Sequence, residues 1–323
     1  MKDINAFIEK SISEIKEKIP APKKAIIAVS GGVDSTTAAA LCDKAVGDRL
    51  VAIHVDTGLM RKNESAEVVE MLKQIGITVN LIDAKERFYE ALKGVTDPEE
   101  KRKAIGELFI RVFEGEAEKV EGAEVLIQGT IAPDWIESGK GKGGVTDVIK
   151  SHHNVGGLPE EMNLILVEPL RDLYKDEVRV VAENLGVPKE LFEKQPFPGP
   201  GLAVRIPGEI TPEKVKILQE ADAIYREELE KAVKEGKCNM PWQYFAVLLP
   251  VKTVGVQGDV RAYGYTIGLR AVESFDGMTA NFLHIPGDVL QKISSKITNE
   301  LKEDVNRVVY DITNKPPSTI EWE

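Results

Sequence analysis

Short apolar runs alternate with amphipathic stretches along residues 1–195 of the chain. The apolar runs predict buried strands at residues 25–29, 50–55, 77–82, 124–129 and 164–167. The amphipathic stretches predict helices at residues 63–75, 98–121 and 174–185. Strands that alternate with helices are typical of a parallel sheet with helices on both faces. We therefore expect an α/β fold with a doubly wound parallel sheet, whose ligands bind beyond the carboxyl ends of the strands.

A second domain is predicted after residues 196–201, Pro-Phe-Pro-Gly-Pro-Gly, which interrupt regular structure. The pattern beyond this break predicts helices at residues 211–235 and 286–302, and strands at 244–256, 261–271 and 307–312. We therefore expect a first domain over residues 1–195 and a smaller α+β domain over residues 196–323. The C-terminal segment, residues 314–323, is apolar and contains consecutive prolines, so we expect it to dock rather than fray.

The candidate chemistry begins where the first predicted strand ends. Residues 30–35 read Ser-Gly-Gly-Val-Asp-Ser, and a helix is predicted to follow. We call residues 30–36 the glycine loop. Such a junction presents backbone N–H groups and the positive end of a helix dipole, and glycines let an anion approach the backbone. The loop has neither the lysine of a Walker A sequence nor a Gly-x-Gly-x-x-Gly pattern.

The side chains of the glycine loop indicate phosphate and a divalent cation. The hydroxyls of Ser30, Ser35 and Thr36 can donate hydrogen bonds to phosphate oxygens. The carboxylate of Asp34 would repel a polyphosphate unless Mg²⁺ lies between them. The alternative is an ordinary turn whose serine and aspartate cap a helix.

Composition and net charge restrict the classes of function that this chain can have. The chain has 323 residues, of which 42% are hydrophobic, and a net charge of −11. No stretch is long and apolar enough for a membrane span, and no extended basic surface for nucleic acid is indicated. Cys42 and Cys238 form no Cys-x-x-Cys pair, which argues against a disulfide framework or a zinc site. We expect a cytoplasmic protein in which Cys42 packs inside a helix.

Residues 138–157 are rich in glycine and basic side chains but have no periodicity. We expect them to form a lid that contacts an anion. The basic side chains that favour this hypothesis are Lys140, Lys142, Lys150, His152 and His153. The alternatives are a plain surface linker and a metal site at the adjacent histidines, although no third ligand lies nearby in the sequence.

The glycine loop resembles that of the ATP-pyrophosphatase family, whose members cleave ATP between the α and β phosphates. Other segments narrow the resemblance to the synthetase part of the GMP synthetase family. These segments are residues 97–106, 128–134, 149–159, 167–172, 196–202, 254–259 and 315–323. The resemblance extends from about residue 20 to the last residue. It implies an adenine nucleotide alpha hydrolase-like domain followed by a dimerisation domain.

The resemblance implies a reaction in two steps that converts XMP to GMP. The xanthine O2 attacks the α-phosphate of ATP and releases pyrophosphate, and ammonia then attacks C2 and displaces AMP. Conversion of the oxygen to a phosphate ester makes it a good leaving group, so no enzyme nucleophile is required. Catalysis can then rest on positioning and on neutralisation of phosphate charge.

The matching motifs imply the site residues. ATP would be bound by Ser30, Gly31, Gly32, Val33, Asp34, Ser35 and Thr36, with Asp34 on Mg²⁺. Lys175 would neutralise phosphate charge, with a solvated helix lysine as the alternative. XMP would contact Arg102, Asp259, Lys315 and Glu321. Asp134 is a candidate second Mg²⁺ ligand, with a helix cap before Trp135 as the alternative.

Many members of the family carry a glutaminase domain in front of the synthetase, whereas here we expect only a short amphipathic helix before the glycine loop. Neither cysteine lies in the glycine-flanked turn that a glutaminase nucleophile requires. We therefore expect a separate glutaminase subunit to supply ammonia, with free ammonia as a poorer substitute. We also expect a homodimer through the C-terminal domain, where residues 244–251 could form the interface or an internal strand.

Three other functions compete with this one. An NAD synthetase would share the loop, the chemistry at the α-phosphate and the use of ammonia, but the C-terminal segment argues against it. A tRNA-thiolating enzyme would need reactive cysteines and a basic face, and neither is apparent. A nucleotide sensor would bind ATP without turnover.

Overall fold

The computed structural model describes residues 3–137, 164–275 and 277–323. Contacts divide the chain into two compact units, which we describe separately. The first unit comprises Met1–Thr57, Asn63–Phe88 and Ile105–Lys194. The second comprises Gly58–Lys62, Tyr89–Ala104 and Gln195–Glu323. The chain passes from the first unit to the second between Lys194 and Gln195, one residue before the domain boundary that we predicted between residues 195 and 196. As a division into domains, the predicted boundary stays a prediction.

Strands are separated by one or more helices over the described residues up to Phe192. The strands are β1 (Lys24–Ala28), β2 (Leu50–Asp56), β3 (Val79–Asp83), β4 (Ala123–Ile127) and β5 (Ile165–Val167). The first helices are α1 (Ile4–Lys18), α2 (Val33–Val46), α3 (Glu64–Gln74) and α4 (Lys85–Ala91). They are followed by α5 (Pro98–Ala117), α6 (Ala132–Glu137), α7 (Lys175–Asn184) and α8 (Lys189–Phe192).

The five strands form one parallel sheet in the order β3-β2-β1-β4-β5. The chain moves from β1 towards β3 and then returns to the other side of β1 at β4. Strand order therefore reverses between β1 and β4, which is the position where open α/β sheets bind ligands. The prediction of a doubly wound parallel sheet is confirmed.

The central strands are apolar because both of their faces are covered. Ile26 and Ile27 of β1 are buried, and so is Val125 of the neighbouring β4. Ala38 and Ala39 make α2 narrow enough to pack closely, and α2 contacts both α1 and α7. Cys42 lies inside the same helix and is fully buried, so the expectation that it packs in a helix is confirmed.

The second unit contains an α+β arrangement. Its elements after residue 195 are α9 (Pro212–Lys234), β6 (Gln243–Gln257), β7 (Val260–Glu273), β8 (Asn281–Phe282), α10 (Gly287–Glu300) and β9 (Val305–Tyr310). Strand β7 pairs antiparallel with β6 and β8 and parallel with β9. Helix α9 packs on β6 and α10 packs on α9. Residues 244–248 of β6 are buried, which matches the alternative of an internal strand for that segment.

The C-terminal segment docks within the second unit, as expected. The guanidinium of Arg270, on β7, is fully buried and donates hydrogen bonds to the carbonyls of Thr313 (2.5 Å) and Thr319 (3.2 Å) and to Ser318 Oγ (3.3 Å). Its charge is balanced by Asp311 at 3.2 Å. Ile320 packs into an apolar cluster with Phe245. The buried guanidinium of Arg270 and the apolar side chain of Ile320 therefore both help to fix the segment.

The structure differs from the predicted elements where they are short. Helices α4 and α8 were not predicted, and α6 was considered only as the capping alternative for Asp134, because one or two turns show too little periodicity to be recognised. Strand β3 begins at Val79 rather than at residue 77. The reason is a Schellman cap after α3, in which Gly76 N–H donates to the carbonyl of Lys73 and Ile77 N–H donates to that of Leu72.

Over the ranges that the structure describes, no helix combines the length and the apolar character that a membrane crossing requires.

Replacing Arg270 by lysine tests this account of the C-terminal segment. Lysine keeps the charge but cannot donate to three acceptors in a fixed fork, so we expect the free energy of unfolding to fall by about 3 kcal/mol. Urea denaturation measures it. Arg261→Lys, at an exposed position of the same strand, is the matched control and should change stability by less than about 0.5 kcal/mol. Equal stability of the two variants would contradict the account.

Candidate functional site

The glycine loop connects β1 to α2 and is held in shape by its own hydroxyls. Ser30 N–H donates to Ser35 Oγ (3.2 Å), and Gly32 N–H donates to Ser30 Oγ (3.3 Å). Ser35 Oγ in turn lies 3.3 Å from the carbonyl of Gly32 and donates to it. Gly32 is the N-cap residue of α2, and no side chain caps the helix there. The N-cap residue itself therefore offers no side-chain oxygen to the N–H groups of the first turn, the arrangement in which a bound anion can take the place of a cap.

Two glycines leave room for this loop. Gly31 has φ +80°, and a Cβ there would lie 2.3 Å from Cγ2 of Val68 on α3. Gly129 follows β4, and a Cβ there would lie 2.9 Å from both the carbonyl carbon of Asp34 and the nitrogen of Ser35. The loop is thus bounded on one side by α3 and on the other by the end of β4, as expected at the point where strand order reverses.

Among the described residues three buried hydroxyls have no hydrogen-bond partner; one, Thr266 Oγ1, lies on β7, and the other two lie beside the glycine loop. These two are Oγ1 of Thr36, in the first turn of α2, and Oγ1 of Thr130, which follows Gly129. A buried hydroxyl that makes no hydrogen bond costs about 1–3 kcal/mol, so such groups point to a ligand. Thr36 was predicted to bind ATP. Thr130 was not, although its position directly after a strand of the ligand-binding edge is a recognisable signal.

The fold brings Asp34 and Lys175 together from distant parts of the sequence. Lys175 is the first residue of α7, and its Nζ lies 3.8 Å from Oδ2 of Asp34. The start of α7 is fixed by a capping box, in which the carboxylate of Glu177 accepts from Tyr174 N–H at 3.1 Å. This hydrogen bond lowers the pKa of Glu177. The Lys175 side chain is about half exposed (48%) and can therefore reach a ligand in the loop.

Asp134 takes part in a helix start. Its Oδ2 accepts the N–H of Ile131 at 2.9 Å, immediately before α6. This is the capping alternative, whereas its role as a metal ligand stays a prediction. In the described part of the chain, no group of three or more His, Cys, Asp or Glu side chains could hold a metal ion. Mg²⁺ commonly uses one or two carboxylates together with substrate phosphates, so a single carboxylate at the loop fits that ion.

The end of β2 carries side chains whose roles the sequence did not predict. His54 is buried, and its ring nitrogens contact the carbonyl of Val29 (2.6 Å) and Oγ of Ser65 (3.1 Å). Burial lowers the pKa of His54. Two residues further on, Asp56 lies 3.2 Å from Lys85 Nζ, and this contact raises the pKa of Lys85.

The four residues predicted to bind XMP all belong to the second unit. Arg102 Nη1 pairs with Glu99 at 2.5 Å, and Asp259 is exposed in the turn between β6 and β7. Lys315 donates from Nζ to the carbonyl of Gly277 (2.8 Å). Glu321 accepts two hydrogen bonds from Arg205, at 2.7 and 3.0 Å, and one from Gln243 at 3.0 Å. Their role as XMP ligands stays a prediction.

Two further buried cations anchor the C-terminal segment, and sequence reasoning missed both. The Arg205 guanidinium carbon lies 4.0 Å from the ring centroid of Phe245 while its nitrogens bind Glu321. Lys101 Nζ lies 2.5 Å from Glu323 and donates to the carbonyl of Ile206 at 2.8 Å. Burial lowers the pKa of Lys101, and the contact with Glu323 opposes that effect. A lysine or arginine in a sequence is expected at the surface, so no pattern revealed these pairs.

Lys150, His152 and His153, with the rest of the predicted lid, lie outside the described residues.

Neither cysteine has the properties of a nucleophile. Burial raises the pKa of the Cys42 thiol to about 12. Burial also raises the pKa of Cys238. A nucleophilic cysteine needs a lowered pKa, so neither residue matches a glutaminase centre.

A doubly wound sheet with a lysine-free glycine loop where strand order reverses defines a nucleotide-binding α/β protein of the ATP-pyrophosphatase class. Family models for "NAD synthase" and "GMP synthase C terminal domain" match residues 1–112 and 228–322. The chain is 60% identical to a subunit of the glutamine-hydrolyzing GMP synthase of Pyrococcus horikoshii, over 99% of this chain and 100% of the relative. It therefore belongs to the family of these GMP synthase subunits.

A longer relative and a solved structure complete the comparison. The glutamine-hydrolyzing GMP synthase of Clostridium perfringens is 56% identical over 98% of this chain, and the match covers 61% of that relative. The NH3-dependent NAD synthetase of Campylobacter jejuni is 14% identical, with a TM-score of 0.46 over 73% of this chain and 88% of that chain.

Gly129→Ala tests whether the close contact between β4 and the glycine loop shapes the nucleotide site. The new Cβ meets backbone atoms of Asp34 and Ser35 that cannot move independently, so the loop must shift. We expect ATP affinity, measured by isothermal titration calorimetry, to fall about 10- to 100-fold.

Gly115→Ala is the matched control for this test. Gly115 lies within α5, where a Cβ meets no atom within 4 Å. This variant should bind ATP as the wild type does. Unchanged ATP affinity in Gly129→Ala, with the fold retained, would contradict the prediction.

Proposed function

We propose that this chain is the synthetase component of a GMP synthase and that it uses ATP to convert XMP to GMP. Membership of a family of GMP synthase subunits is the observation that carries the proposal. The glycine loop at the reversal of strand order supports it, because that geometry suits an enzyme whose leaving group is the diphosphate of ATP.

The reaction begins when the xanthine O2 of XMP attacks the α-phosphate of ATP. Pyrophosphate leaves and an adenylyl-XMP intermediate forms. Ammonia then attacks C2, the C–O bond breaks, and AMP leaves while GMP retains the new nitrogen. No residue of the chain needs to form a covalent bond, so the protein's contribution is to align the reactants and to stabilise the charge that develops on phosphate.

In this proposal the glycine loop holds the departing diphosphate. The N-terminus of α2 and the hydroxyls of Ser30 and Thr36 offer hydrogen-bond donors, and Thr130 adds a further buried hydroxyl. The Ser35 hydroxyl would donate to phosphate in place of its bond to the carbonyl of Gly32. Lys175 lies close enough to Asp34 for both to face the same phosphates. Asp34 would hold Mg²⁺ together with phosphate oxygens, and the ion would neutralise their charge. Asp134 is retained as a second candidate ligand.

We propose different roles in XMP binding for the four residues Arg102, Asp259, Lys315 and Glu321. Arg102 and Lys315 suit the 5′-phosphate, and Asp259 suits hydrogen-bond donors of the ribose or the base. Both oxygens of Glu321 already accept hydrogen bonds from Arg205. We therefore propose that Glu321 acts by holding the C-terminal segment, and thus Lys315, in place.

The ammonia is proposed to come from a separate glutaminase subunit. The high thiol pKa of Cys42 and Cys238 supports this, because a glutaminase of the cysteine type needs a thiolate. The Pyrococcus relative is named as one subunit of its synthase, and the Clostridium relative has additional sequence beyond the match. The cytoplasm, where nucleotide substrates are available, is the proposed location.

The main alternative is an NAD synthetase, which would use the same loop. The family model for NAD synthase covers only residues 1–112, whereas the model for the GMP synthase C-terminal domain covers residues 228–322. The second unit therefore favours XMP over deamido-NAD. A sensor that binds ATP without turnover remains the other alternative, and the same assay addresses it.

The assay supplies the protein with ATP, Mg²⁺ and ammonium, together with XMP or deamido-NAD. We expect AMP, pyrophosphate and GMP in equal amounts with XMP, because the α-phosphate is the atom attacked, and no turnover with deamido-NAD. Chromatography of labelled nucleotides measures the products. Glutamine should not replace ammonium for this chain alone.

Three results would contradict the proposal. Formation of ADP and orthophosphate would show attack at a different phosphorus. Turnover with deamido-NAD and not with XMP would identify the alternative synthetase. ATP binding without any turnover would identify a sensor.

A homodimer through the second unit is proposed as well. Val254 and Tyr263 are direct partners in the β6–β7 hairpin, and Val256 lies two residues along the same face. All three side chains are largely exposed, at 49%, 67% and 78% for Val254, Tyr263 and Val256. An exposed apolar sheet face of this kind is suited to contact with a second copy.

Val256→Asp tests this interface. A charge in the centre of an apolar contact is costly to bury, so we expect the variant to be a monomer where the wild type is a dimer. Light scattering coupled to gel filtration measures the mass. Leu81→Asp, at an exposed apolar position of β3, is the control and should leave the mass unchanged. A monomeric wild type, or a dimeric Val256→Asp variant, would argue against this surface.

A further inference from the structure

His54 is placed where β2 meets the start of the glycine loop. The residue is only 1% exposed, and Nδ1 of its imidazole lies 2.6 Å from the carbonyl of Val29, the residue just before Ser30. Val29 N–H donates to the carbonyl of Ile53, the residue just before His54. Both polar backbone groups of Val29 are therefore bound by consecutive residues of β2.

The hydrogen bonds of His54 define which ring nitrogen carries the proton of the neutral imidazole. A carbonyl can only accept, so Nδ1 carries the proton and donates to Val29. In the neutral ring Nε2 is then an acceptor, and Ser65 Oγ, 3.1 Å away, donates to it. Burial, which lowers the pKa of His54, favours this neutral form. The imidazole thus connects α3 to the carbonyl from which the loop begins.

Helix α3 also bounds the loop through packing. Val68 lies three residues after Ser65, on the same face of α3, and it occupies the space beside Gly31. The start of α3 is itself fixed, because the buried carboxylate of Glu64 lies 2.6 Å from Lys194 Nζ. The position of α3 therefore determines both the polar contact through His54 and the apolar contact at Gly31.

We propose that His54 is a positioning residue for the ATP site: by binding Val29 and Ser65 it fixes the point at which the glycine loop begins, without contacting the nucleotide. The inference rests on the proposed function in one respect, namely that the glycine loop binds the diphosphate of ATP. A shift of the first loop residue would displace the hydroxyls of Ser30 and Ser35, whose oxygens lie 3.2 Å apart. Misplacement by about 1 Å can reduce an enzyme's rate about 100-fold.

Three variants separate the two hydrogen bonds. His54→Leu removes both, and Ser65→Ala removes only the bond to Nε2. His54→Asn keeps a donor, because the amide nitrogen of asparagine can occupy the position of Nδ1 and donate to Val29. We expect ATP affinity to fall about 10- to 100-fold in His54→Leu and by less than about threefold in His54→Asn, with Ser65→Ala between them.

Calorimetric titration with a non-hydrolysable ATP analogue measures the affinity, and titration with XMP serves as the internal control. XMP affinity should be the same in all variants, whereas general loosening of the fold would weaken both ligands. Wild-type ATP affinity in a folded His54→Leu protein would overturn the inference. Failure of the proposed function would look different, because the wild type would then bind ATP but form no AMP with XMP.

The pH dependence gives a test that does not require His54→Leu to fold. Protonation places a second N–H at Nε2, so that Ser65 Oγ must accept rather than donate, and it buries a positive charge beside the start of the loop. ATP affinity of the wild type should therefore fall below about pH 6.5 more steeply than that of His54→Asn. The charged groups around the imidazole, Asp56 on β2, Glu64 on α3 and Lys194, are common to both proteins. Superimposable pH profiles would overturn the inference.

Discussion

The structure depends on a tight turn that leaves the N-terminus of α2 facing the edge of a parallel sheet. Between the end of β1 at Ala28 and the start of α2 at Val33 there are only four residues, so the chain must turn within a very short distance. The turn requires a positive φ at Gly31 and close backbone approach at Gly129. Once these conditions are met, the hydroxyls of Ser30 and Ser35 lie 3.2 Å apart beside the N-terminus of α2. The remaining elements of the first unit keep that turn in position.

In the second unit buried ion pairs fix the C-terminal segment, whereas in the first unit backbone geometry fixes the glycine loop. Arg205, Arg270 and Lys101 are all fully buried, and they are paired with Glu321, Asp311 and Glu323 respectively. Buried ion pairs add little net stability, because desolvation offsets much of their attraction, but loss of one partner is costly. Such pairs therefore favour one conformation of the C-terminal segment over other conformations that would bury a similar apolar area. A single well-defined conformation suits a segment that carries Lys315, which is a proposed XMP ligand.

The sequence predicted those parts of the molecule whose structure depends on a local pattern of residues. The strands around residues 25–29 and 50–55 are apolar because they are central, and the Ser-Gly-Gly-Val-Asp-Ser turn follows from its glycines. The parts that were missed depend on contacts between distant residues. Arg205 and Glu321 are 116 residues apart, and Lys101 and Glu323 are 222 apart. The role of His54 likewise depends on Val29 and Ser65, which only the folded sheet brings together. Arg102 and Asp259 were predicted as ligands only because the chain resembles a known family. Their positions in the sequence are otherwise typical of ordinary surface charges.

The interleaving of the two units along the chain limits how the molecule can be divided. Gly58–Lys62 and Tyr89–Ala104 belong to the second unit although they precede most of the first in sequence. Within that unit the carbonyl of Leu59 accepts from Leu202 N–H at 2.7 Å, and Lys101 binds Glu323. A single cut after Lys194 would leave these pieces on the wrong fragment, with a buried lysine deprived of its carboxylate. We therefore expect neither fragment of such a cut to retain all the contacts that fix its unit.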